Sequence, residues 1–547
     1  MKTSIYTGSL ALVLAGLGVQ NAVAAVSLTP PMGWSSYDCL NYTSTEADMK
    51  AMADSIAKKY APYGWEYVNT DWGWYYPDNG TYTGSPNQNF SGNTDIPSAD
   101  TRLNMDAYGR LQPDTVRYPS SQGGKGFKPL TDYIHGKGLK FGIHIMRGIP
   151  RQAFGAKTPV YGTNFTAVDA ADQNSRCNWL NDMYGLNMNN PAGQAYIKSI
   201  IDMYAAWGVD YIKIDDMMNA DQNPRTPYYS QIQGYRAAMD SSHHEFVFST
   251  SPGATPVGDS TFIRTYANQW RMANDLWDDW GSLNNMIGLC AQWHGSAASP
   301  HFPDADMIPI GYLSERGPSG QPRYSNLSFT EQTTMMTMWS IARSPLIWGG
   351  DLRKNRASED SLMMNAEVMA VNQHGQHPRP IAQSSGSVVW ASDHPDSSNI
   401  KYVAMINLSG GTSNVSLSLT SLGFKTAVTV RDLWGHKNLG SFTTTFTQSL
   451  PSHGSGMYKV TLPILDAIQP SSARANAGAE VLHVVGTRMA IPDRFAGKTL
   501  SLRVYALDGR LVNSLVSKDE TWVSLDKGAN LAGNSLYLVR IDPVVER

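Results

Sequence analysis

The sequence predicts a parallel α/β fold, specifically a (β/α)8 TIM barrel, followed by an antiparallel β-sandwich and a small C-terminal β module. Strand-like and helix-like segments alternate from residue 30 to about residue 372, the pattern of parallel α/β proteins. Polar or charged residues end these strands all along the run, which favours a closed barrel over an open sheet with one switch point. After about Pro380 only short strands without helices remain, as in a sandwich.

The bulk composition excludes several classes of partner. The chain has 547 residues, with 43 Lys and Arg against 46 Asp and Glu, and neither a basic stripe nor an acidic tail. Nucleic acid and anionic membranes are therefore not expected as partners. The 15 Trp and 27 Tyr are mostly core and turn residues on this interpretation, although an aromatic surface also suits the apolar faces of sugar rings.

The N-terminus has the pattern of an export signal. Lys2 precedes an apolar run from Leu10 to Val19, and Ala22-Val23-Ala24 follows as a small-residue cleavage pattern. The run is too short for a mature membrane span, and no later segment has 18 consecutive apolar residues. We expect residues 1–24 to be removed and the protein to be secreted, at the cell surface or in the periplasm.

The cysteines and histidines indicate neither a disulfide framework nor a metal centre. Cys39, Cys177 and Cys290 allow at most one disulfide. The sequence lacks Cys-x-x-Cys, His-Glu-x-x-His and EF-hand spacing, and the pair His243-His244 alone is a weak signal. Neither a catalytic metal nor an organic cofactor is expected.

The barrel region alternates strand-like and helix-like segments along the chain. Thr29 to Tyr37 opens the mature chain, with Trp34 at the end of a first strand, and a Gly/Asn/Ser/Pro-rich loop from Tyr75 to Ser120 is long enough to be a functional excursion. Between and after these the pattern predicts, in order, a helix over 44–60, a strand over 65–74, a helix over 129–136, a strand over 139–145, a helix over 193–207, a strand over 208–217, a strand over 245–250, a segment 266–280 carrying Arg271 and Asp275, a segment 302–307 preceding a short strand, and a closing helix over 329–346.

The predicted domain boundaries follow from these segments. The barrel covers residues 25–378 and the sandwich residues 379–464. Residues 465–478 have a linker composition, and residues 479–547 form the last β module.

One predicted strand carries both a lysine and a carboxylate on the same face. In the segment from Gly208 to Met217, side chains alternate, so Tyr211, Lys213 and Asp215 share one face. A lysine and a carboxylate are costly to bury unless they pair or meet a ligand. The pair is therefore either a structural ion pair capping the strand or part of a binding site.

Several carboxylates stand at predicted strand ends. No Gly-x-Ser-x-Gly elbow, P-loop or dinucleotide fingerprint accompanies them. An exported barrel with several carboxylates and many aromatic residues indicates glycoside hydrolysis by a carboxylate pair. The candidates are Asp71, Asp215, Asp216, Asp275, Asp304 and Asp306.

The chain resembles glycoside hydrolase family 27, the α-galactosidase family of clan D, over about residues 28–462. The segment 29–34, Thr-Pro-Pro-Met-Gly-Trp, resembles the opening of that family, and the later blocks follow in family order: 137–144, 213–215, 270–275, 303–307, 344–346, 372–373 and 432–437. The resemblance implies a (β/α)8 barrel plus sandwich and hydrolysis with retention of anomeric configuration. It also implies Asp215 as nucleophile and Asp275 as acid/base, with substrate contacts from Trp34, Asp71, Trp72, His144, Lys213, Ser251, Arg271 and Asp306.

The residue pattern is consistent with these roles. Lys213 beside Asp215 would lower the pKa of that carboxyl, which suits a nucleophile. Asp275 must be protonated when it meets the leaving oxygen, and Trp277 and Trp280 are expected to desolvate it. Arg271 would oppose that if it faced Asp275, so it is expected to bind a sugar hydroxyl. The alternative for Arg271 and Asp275 is an ordinary i,i+4 helix pair.

The chain departs from the family at the sugar-binding edge. Trp72 follows Asp71 where many members carry a second aspartate, and His144 replaces the usual tyrosine. The cysteines of the family's pocket disulfide, expected near Gln152 and Met217, are missing. Ser251, with Ala254 three residues on, resembles the α-N-acetylgalactosaminidases rather than the α-galactosidases.

These observations predict an exported retaining exo-glycosidase that releases terminal α-linked galactose. The same chemistry on a β-L-arabinopyranoside, an α-N-acetylgalactosaminide or an isomaltosyl unit is an alternative, and a non-catalytic carbohydrate-binding barrel is another. The final module resembles C-terminal sorting domains of the type IX secretion system around 504–512 and 536–541, so the secretion machinery is a candidate partner. A plain β accessory domain or a carbohydrate-binding module fits the module equally well.

Overall fold

A computed structural model describes most of the chain. The described residues are 26–77, 103–177, 179–180, 182–317, 320–463, 480–484, 488–490, 495, 498–506, 511–518, 522–525 and 537–544. The predicted signal peptide and linker lie outside them. The chain divides into one compact unit up to Thr461 and a second from Leu462 onward.

The first unit begins with eight parallel strands. Neighbouring strands are hydrogen-bonded in the order β7-β6-β5-β4-β3-β2-β1-β8. The ring closes through Ile308, just after β7, whose N–H donates to the Ile347 carbonyl (2.7 Å) while its own carbonyl accepts from Gly349 N (3.0 Å). This confirms the predicted barrel. The strands are β1 Met32–Ser35, β2 Tyr67–Thr70, β3 Lys140–Met146, β4 Tyr211–Asp215, β5 Val247–Thr250, β6 Gln269–Arg271, β7 Phe302–Asp304 and β8 Leu346–Trp348.

Helices follow the strands and are bounded by local signals. Thr45 and Ser328 cap α1 and α7 with reciprocal capping boxes. Asn190 caps α3, which has Pro191 at its first position and Gly208 in the left-handed conformation (φ +80°) at its end. The helices are α1 Glu46–Ser55, α2 Lys128–His135, α3 Pro191–Trp207, α4 Tyr229–Ser241, α5 Ser260–Tyr266, α6 Trp280–Gln292, α7 Phe329–Ala342 and α8 Ala366–His374.

The structure corrects three predicted elements. Helix α7 ends at Ala342 rather than residue 346, because a residue preceding a proline, here Ser344, is disfavoured in the helical conformation; Leu346 then starts the closing strand. Strand β7 is Phe302–Asp304 itself and not a segment after it. Within 266–280, Arg271 ends a strand, so the helix-pair interpretation of Arg271 and Asp275 is wrong.

Two excursions rise from the carboxyl ends of neighbouring strands. After β3, the segments Ile149–Pro150, Ala171–Arg176 and Met183–Leu186 form a small antiparallel sheet, called here the β3 excursion (149–186). After β4, Met218–Asn219 pairs with Thr226–Pro227, and residues 218–227 are called the β4 hairpin. Both lie where a barrel places its active site.

The second half of this unit is an antiparallel sandwich, as predicted. Its first strand begins at Gln376, three residues before the predicted boundary. A six-stranded sheet in the order β9-β10-β11-β16-β13-β14 accompanies the pair β12-β15. The sandwich packs on the barrel through α7: Trp434 Nε1 donates to Thr337 Oγ1 (2.8 Å), and Thr334 Oγ1 donates to the His453 carbonyl (2.6 Å). The strands are β9 Gln376–Gln383, β10 Ser387–His394, β11 Ser397–Asn407, β12 Ser413–Ser418, β13 Val428–Asp432, β14 Lys437–Phe442, β15 Thr445–Leu450 and β16 Ser455–Thr461.

The second unit is a small β module with its own core. Its strands form the sheet β17-β22-β19-β20 and the pair β18-β21, all antiparallel. Leu502, Val504, Val539 and Ile541 are buried between them. The strands are β17 Glu480–Val484, β18 Arg488–Ala490, β19 Thr499–Ala506, β20 Leu511–Lys518, β21 Trp522–Ser524 and β22 Tyr537–Pro543.

All three cysteines are free and buried. In the portion that the structure describes, no helix combines the length and the apolar character that crossing a bilayer requires.

Candidate active site

A cavity of about 360 Å³ opens at the carboxyl ends of the barrel strands. Strands β1, β2, β3, β4, β6, β7 and β8 or the residues just after them contribute to its wall, so it lies on the barrel axis. Five of the predicted site residues meet in it: Asp71, His144, Lys213, Arg271 and Asp306. Asp71 and Asp306, which are 235 positions apart in the sequence, therefore meet in one cavity. The other lining residues are Ser35, Asn69, Thr70, Ile143, Tyr211, Asp304, Met307 and Ile347.

Lys213 and Asp71 form a buried pair on one side of this cavity. Lys213 Nζ lies 3.4 Å from Asp71 Oδ2, and that oxygen also accepts from Ser35 Oγ (3.0 Å). Asp71 Oδ1 accepts from the Trp72 N–H (2.9 Å). Burial opposes ionisation of Asp71, but Lys213, His144 and these donors together hold its pKa at about 2. Asp71 is thus a fixed, ionised hydrogen-bond acceptor in the cavity wall.

His144 and Asp215 form a second pair. His144 Nε2 lies 3.0 Å from Asp215 Oδ2, while Asp215 Oδ1 accepts from the Asp216 N–H (2.7 Å). Burial would raise the pKa of Asp215, yet the bond from His144 and the charge of Lys213 lower it below its ordinary value. Because the Asp215 side chain keeps 13% exposure, an ionised oxygen is accessible to a reacting carbon.

His144 is buried, and only one of its two ring nitrogens has a hydrogen-bond partner among the described residues. Its carbonyl accepts from Trp74 Nε1 (2.7 Å), and its side chain is only 2% exposed. Its Nδ1 atom is buried and bonds to none of the described residues. A buried polar atom of this kind carries a free-energy cost of about 1–3 kcal/mol.

Arg271 joins two carboxylates at the opposite wall. Its Nη2 atom lies 2.6 Å from Asp306 Oδ2 and 3.3 Å from Asp275 Oδ1. Asp306 Oδ2 also accepts from the Leu276 N–H (2.7 Å). Burial raises the pKa of Asp306 despite the attraction of Arg271. The expectation that Arg271 does not face Asp275 is wrong, because the turn after β6 brings Asp275 back to the end of the strand.

The expected aromatic cover over Asp275 is also wrong in part. Trp280 stacks on His453 of the sandwich, with ring centroids 3.7 Å apart and planes 6° apart. The Asp275 side chain is 59% exposed. The free enzyme therefore leaves Asp275 open to water, and the aromatic residue assigned to its desolvation stabilises the interface of barrel and sandwich instead.

The arrangement suits displacement at a carbon that bears a leaving oxygen. Asp215 and Asp275 are not among the residues that line the cavity, but each contacts one that is. Asp215 is a largely buried carboxylate bonded to His144, and Asp275 is an exposed carboxyl that contacts Arg271. Among the described residues, no three His, Cys, Asp or Glu side chains are grouped so that they could hold a metal ion. Two carboxylates of unlike environment are the minimal equipment for glycoside hydrolysis.

Comparisons with known proteins decide the family. The α-galactosidase A family model matches residues 181–374, and the α-galactosidase C-terminal β-sandwich model matches residues 384–460. A GH27 β-L-arabinopyranosidase from Geobacillus stearothermophilus is 40% identical in sequence, with a TM-score of 0.75, covering 81% of this chain and 98% of that one. The chain belongs to glycoside hydrolase family 27.

More distant members of family 27 span several sugars. An α-galactosidase from Coffea arabica is 25% identical over 441 residues, covering 80% of this chain and 94% of that protein. An α-N-acetylgalactosaminidase from Gallus gallus is 24% identical over 411 residues, covering 67% and 80%. The family confirms glycoside hydrolysis as the activity of this chain, and the sugar has to be argued from the site.

In this family 27 enzyme, the aromatic residue that lines the cavity is Tyr211; Tyr37 interacts with the surrounding carboxylates, and Trp34 does not line the cavity. Trp34 is fully buried and its indole N–H donates to the Gly350 carbonyl (2.9 Å), so it does not reach the cavity. Tyr37 interacts electrostatically with Asp275, Asp71 and Lys213, and burial raises its pKa. Tyr37 comes just after the predicted first strand, which is the signal the sequence offered for it, but the family resemblance assigns the contact to Trp34 at the end of that strand.

Trp72 and Ser251 lie beside the cavity rather than in its lining. The Trp72 side chain hydrogen-bonds to Tyr37, and its ring packs between Tyr42 (5.6 Å between centroids) and Tyr76 (5.9 Å). Ser251 is 1% exposed and is anchored through its backbone, donating to the Ile214 carbonyl (2.9 Å). Trp72 is therefore a fixed wall behind Tyr37 and Asp71.

An ion pair joins the loops where the family's pocket disulfide is missing. Arg147, just after β3, donates from Nη2 to Asp216 Oδ2 (2.7 Å) and from Nε to the Asp216 carbonyl (2.8 Å). Cys177 hydrogen-bonds to the same carboxylate, whose pKa burial raises to about 6. The sequence offered Asp216 only as one of six candidate carboxylates, and in the structure it holds Arg147 next to Asp215.

Proposed function

We propose that this enzyme is a retaining exo-glycosidase that accepts both terminal α-D-galactopyranosyl and terminal β-L-arabinopyranosyl units. Asp215 attacks the anomeric carbon while Asp275 gives a proton to the departing oxygen, and the glycosidic C–O bond breaks. Water then attacks the same carbon, passes a proton to Asp275 and releases Asp215. Two inversions give net retention.

The observation that carries the choice of sugar is the pair Asp71 and Trp72. β-L-Arabinopyranose has the ring configuration of α-D-galactopyranose and lacks only its hydroxymethyl group. Asp71 supplies one ionised acceptor at this edge, but Trp72 supplies none, because its only polar atom is a donor engaged with Tyr37. A missing hydrogen-bond partner is worth about 0.5–1.5 kcal/mol, so the hydroxymethyl group adds little to binding.

The pattern of relatives supports the same choice. The structure with 40% identity is a β-L-arabinopyranosidase, whereas the α-galactosidase from Coffea arabica has 25% identity. The ring-recognising residues Asp71, Lys213 and Asp306 suit both sugars equally, since the two share every ring hydroxyl.

A second candidate substrate is a terminal α-N-acetylgalactosaminide. By family resemblance, Ser251 stands where α-galactosidases carry a glutamate that binds the 2-hydroxyl, and a serine there resembles the α-N-acetylgalactosaminidases. The relative from Gallus gallus has that activity in its name. Cleavage of isomaltosyl units is a further alternative.

The experiment is a comparison of kcat/KM for nitrophenyl glycosides of α-galactose, β-L-arabinopyranose, α-N-acetylgalactosamine and α-glucose. We expect the first two to agree within about tenfold, corresponding to about 1.4 kcal/mol. A preference of a thousandfold for either sugar would contradict the proposal. Failure to cleave any of the four glycosides or natural oligosaccharides would contradict the proposed function.

We also propose that the enzyme is exported, on the strength of the N-terminal pattern of Lys2, the apolar run and the Ala-rich cleavage pattern. The C-terminal module is proposed as a sorting signal for a secretion system. Expression in a host with that system tests both: the N-terminal sequence of the external protein should begin near residue 25. Unchanged export after removal of residues 479–547 would assign the module to an accessory role.

A further inference from the structure

A second cavity, of about 740 Å³ and open to solvent, lies beside the catalytic one. It lies between the β3 excursion, the β4 hairpin and the start of α4, and it shares no lining residue with the catalytic cavity. We call it the outer cavity and define it by Ser175, Asn187, Asn189, Asn219, Ser230 and Gln231.

Its side-chain amides are held in fixed orientations. Asn219 Oδ1 accepts from the Asp221 N–H (3.0 Å), Asn187 Oδ1 accepts from the Asn189 N–H (3.2 Å), and Gln231 Oε1 accepts from the Leu186 N–H (3.2 Å). A backbone N–H can only donate, so each amide oxygen is committed. The amino groups of these three side chains donate to none of the described residues, which leaves them as preset donors for a ligand.

The charges around the outer cavity indicate a neutral ligand. Asp172, Asp221 and Arg176 also line it, and the Arg176 Nε atom is engaged with the Gln173 carbonyl (3.2 Å). Recognition of an anion calls for converging guanidinium or ammonium groups, which this mixed set does not provide. Fixed amide donors beside hydroxyl and carboxylate acceptors match instead the alternating donors and acceptors of vicinal hydroxyl groups.

Two arginines connect the elements around the outer cavity to residues that adjoin Asp215 and Asp275. Arg147 donates from Nη1 to Ser175 Oγ in the outer cavity (3.0 Å) and from Nη2 to Asp216 (2.7 Å), next to Asp215. On the other side of the β4 hairpin, Arg225 Nη1 donates to Asn274 Oδ1 (2.9 Å), next to Asp275. The hairpin therefore contributes Asn219 and Asp221 to the outer cavity and contacts, through Arg225, the residue next to Asp275.

We infer that the outer cavity is a second carbohydrate subsite that binds a neutral sugar unit of the glycan whose terminal residue occupies the catalytic cavity. This rests on the proposed exo-glycosidase function and extends it. The enzyme is then selective for branched or polymeric substrates, since a nitrophenyl monosaccharide reaches the catalytic cavity alone.

The test compares small and polymeric substrates in matched variants. Ser230→Trp fills the outer cavity from the exposed first turn of α4, and Asn189→Ala removes one exposed amide; neither side chain makes a hydrogen bond to a described residue. Ala237→Trp, exposed on the same helix and outside the cavity, is the control for a bulky substitution. The substrates are nitrophenyl α-galactoside and β-L-arabinopyranoside, galactomannan, and an arabinogalactan ending in β-L-arabinopyranosyl units.

For Ser230→Trp we expect kcat/KM on a cleaved polymer to fall about five- to tenfold, with the nitrophenyl glycosides changed less than about twofold, as for loss of one to two hydrogen-bonding contacts. Asn189→Ala should show the same selectivity with a smaller loss, and Ala237→Trp should change neither. An equal effect of Ser230→Trp on both substrate classes overturns the inference. Cleavage of nitrophenyl glycosides without cleavage of either polymer overturns it too, while leaving the proposed function intact.

Discussion

The hydrogen bond from His144 to the nucleophile makes a quantitative prediction for the pH dependence of the enzyme. His144→Phe removes the donor 3.0 Å from Asp215 Oδ2 and keeps an aromatic ring. The bond stabilises the ionised form of Asp215, so its loss raises the pKa of that carboxyl. The acidic limb of kcat/KM, which follows ionisation of the nucleophile in the free enzyme, should therefore move to higher pH.

The structure bounds the size of the shift. A hydrogen bond to a charged group contributes about 1.5–3 kcal/mol, and one pKa unit corresponds to about 1.4 kcal/mol, which gives about 1–2 units. Since Asp215 is 13% exposed, water replaces part of the lost bond, and the Asp216 N–H and Lys213 remain. We therefore expect about one unit.

The matched control is His144→Tyr. It differs from His144→Phe by one hydroxyl group, and tyrosine is the residue expected here from the family pattern. If the hydroxyl donates to Asp215, the acidic limb returns toward the wild-type position. The assay is kcat/KM for a nitrophenyl glycoside between about pH 3 and 8, with calorimetric unfolding of each variant alongside.

Stability separates this effect from misfolding. The wild-type His144 Nδ1 is buried and bonds to none of the described residues, so His144→Phe removes an unsatisfied atom as well as a bond. The free energy of unfolding should change by less than about 1 kcal/mol. An acidic limb that stays in place in a folded His144→Phe variant would refute the assignment of Asp215 as the titrating nucleophile.

The remaining predictions concern the other carboxylates and the edge of the sugar. Asp215→Ala should lower kcat by about 10⁴-fold or more, and azide should restore turnover with a product of inverted configuration; turnover close to wild type would contradict the nucleophile assignment. A crystal structure with bound sugar should place the carboxyl groups of Asp215 and Asp275 about 5–5.5 Å apart, and a gap of about 9 Å would indicate an inverting enzyme. Trp72→Asp should raise the kcat/KM ratio of α-galactoside to β-L-arabinopyranoside about three- to tenfold by adding an acceptor, and an unchanged ratio in a folded variant removes Trp72 from the sugar-binding edge. Asp71 has a pKa of about 2 in the folded protein and about 3.9 in the unfolded chain. Its ionised form therefore stabilises the fold above about pH 4, and this stabilisation is lost as the pH falls toward 2. The unfolding free energy of Asp71→Asn should vary less over that window, which denaturant titration at each pH measures.

Alternation along strands made much of this site predictable. Lys213 and Tyr211 share a strand face, so their meeting in one cavity follows from the two-residue period. The position of Asp71 in the cavity follows from the rule that the carboxyl ends of barrel strands face the active site. The order of the family blocks supplied Asp275 and Arg271. The closing strand from Leu346 was hidden because it directly follows an apolar helix, and a buried strand of three residues has no periodicity of its own.

Other features depend on packing that no local pattern encodes. Trp280 is close to Asp275 in sequence, yet its ring stacks on His453 of the sandwich, 173 positions later. The two amide-bearing walls of the outer cavity come from separate barrel loops, so the sequence shows only scattered Asn and Gln residues. The Arg147–Asp216 pair was equally hidden, since a buried ion pair is recognised by geometry and not by spacing.

The exposure of Asp275 agrees with the proposed mechanism once the substrate is included. Arg271 lies nearer to Asp306 (2.6 Å) than to Asp275 (3.3 Å), so it interacts more strongly with Asp306. In the proposed mechanism, a sugar ring in the cavity expels water from around Asp275, whose side chain is 59% exposed in the free enzyme. Asp275 gives its proton to the leaving oxygen in the first step and takes one from water in the second. Both proposed steps use the same carboxyl, and Arg271 keeps its contact with Asp306 throughout, so neither step requires Arg271 to move.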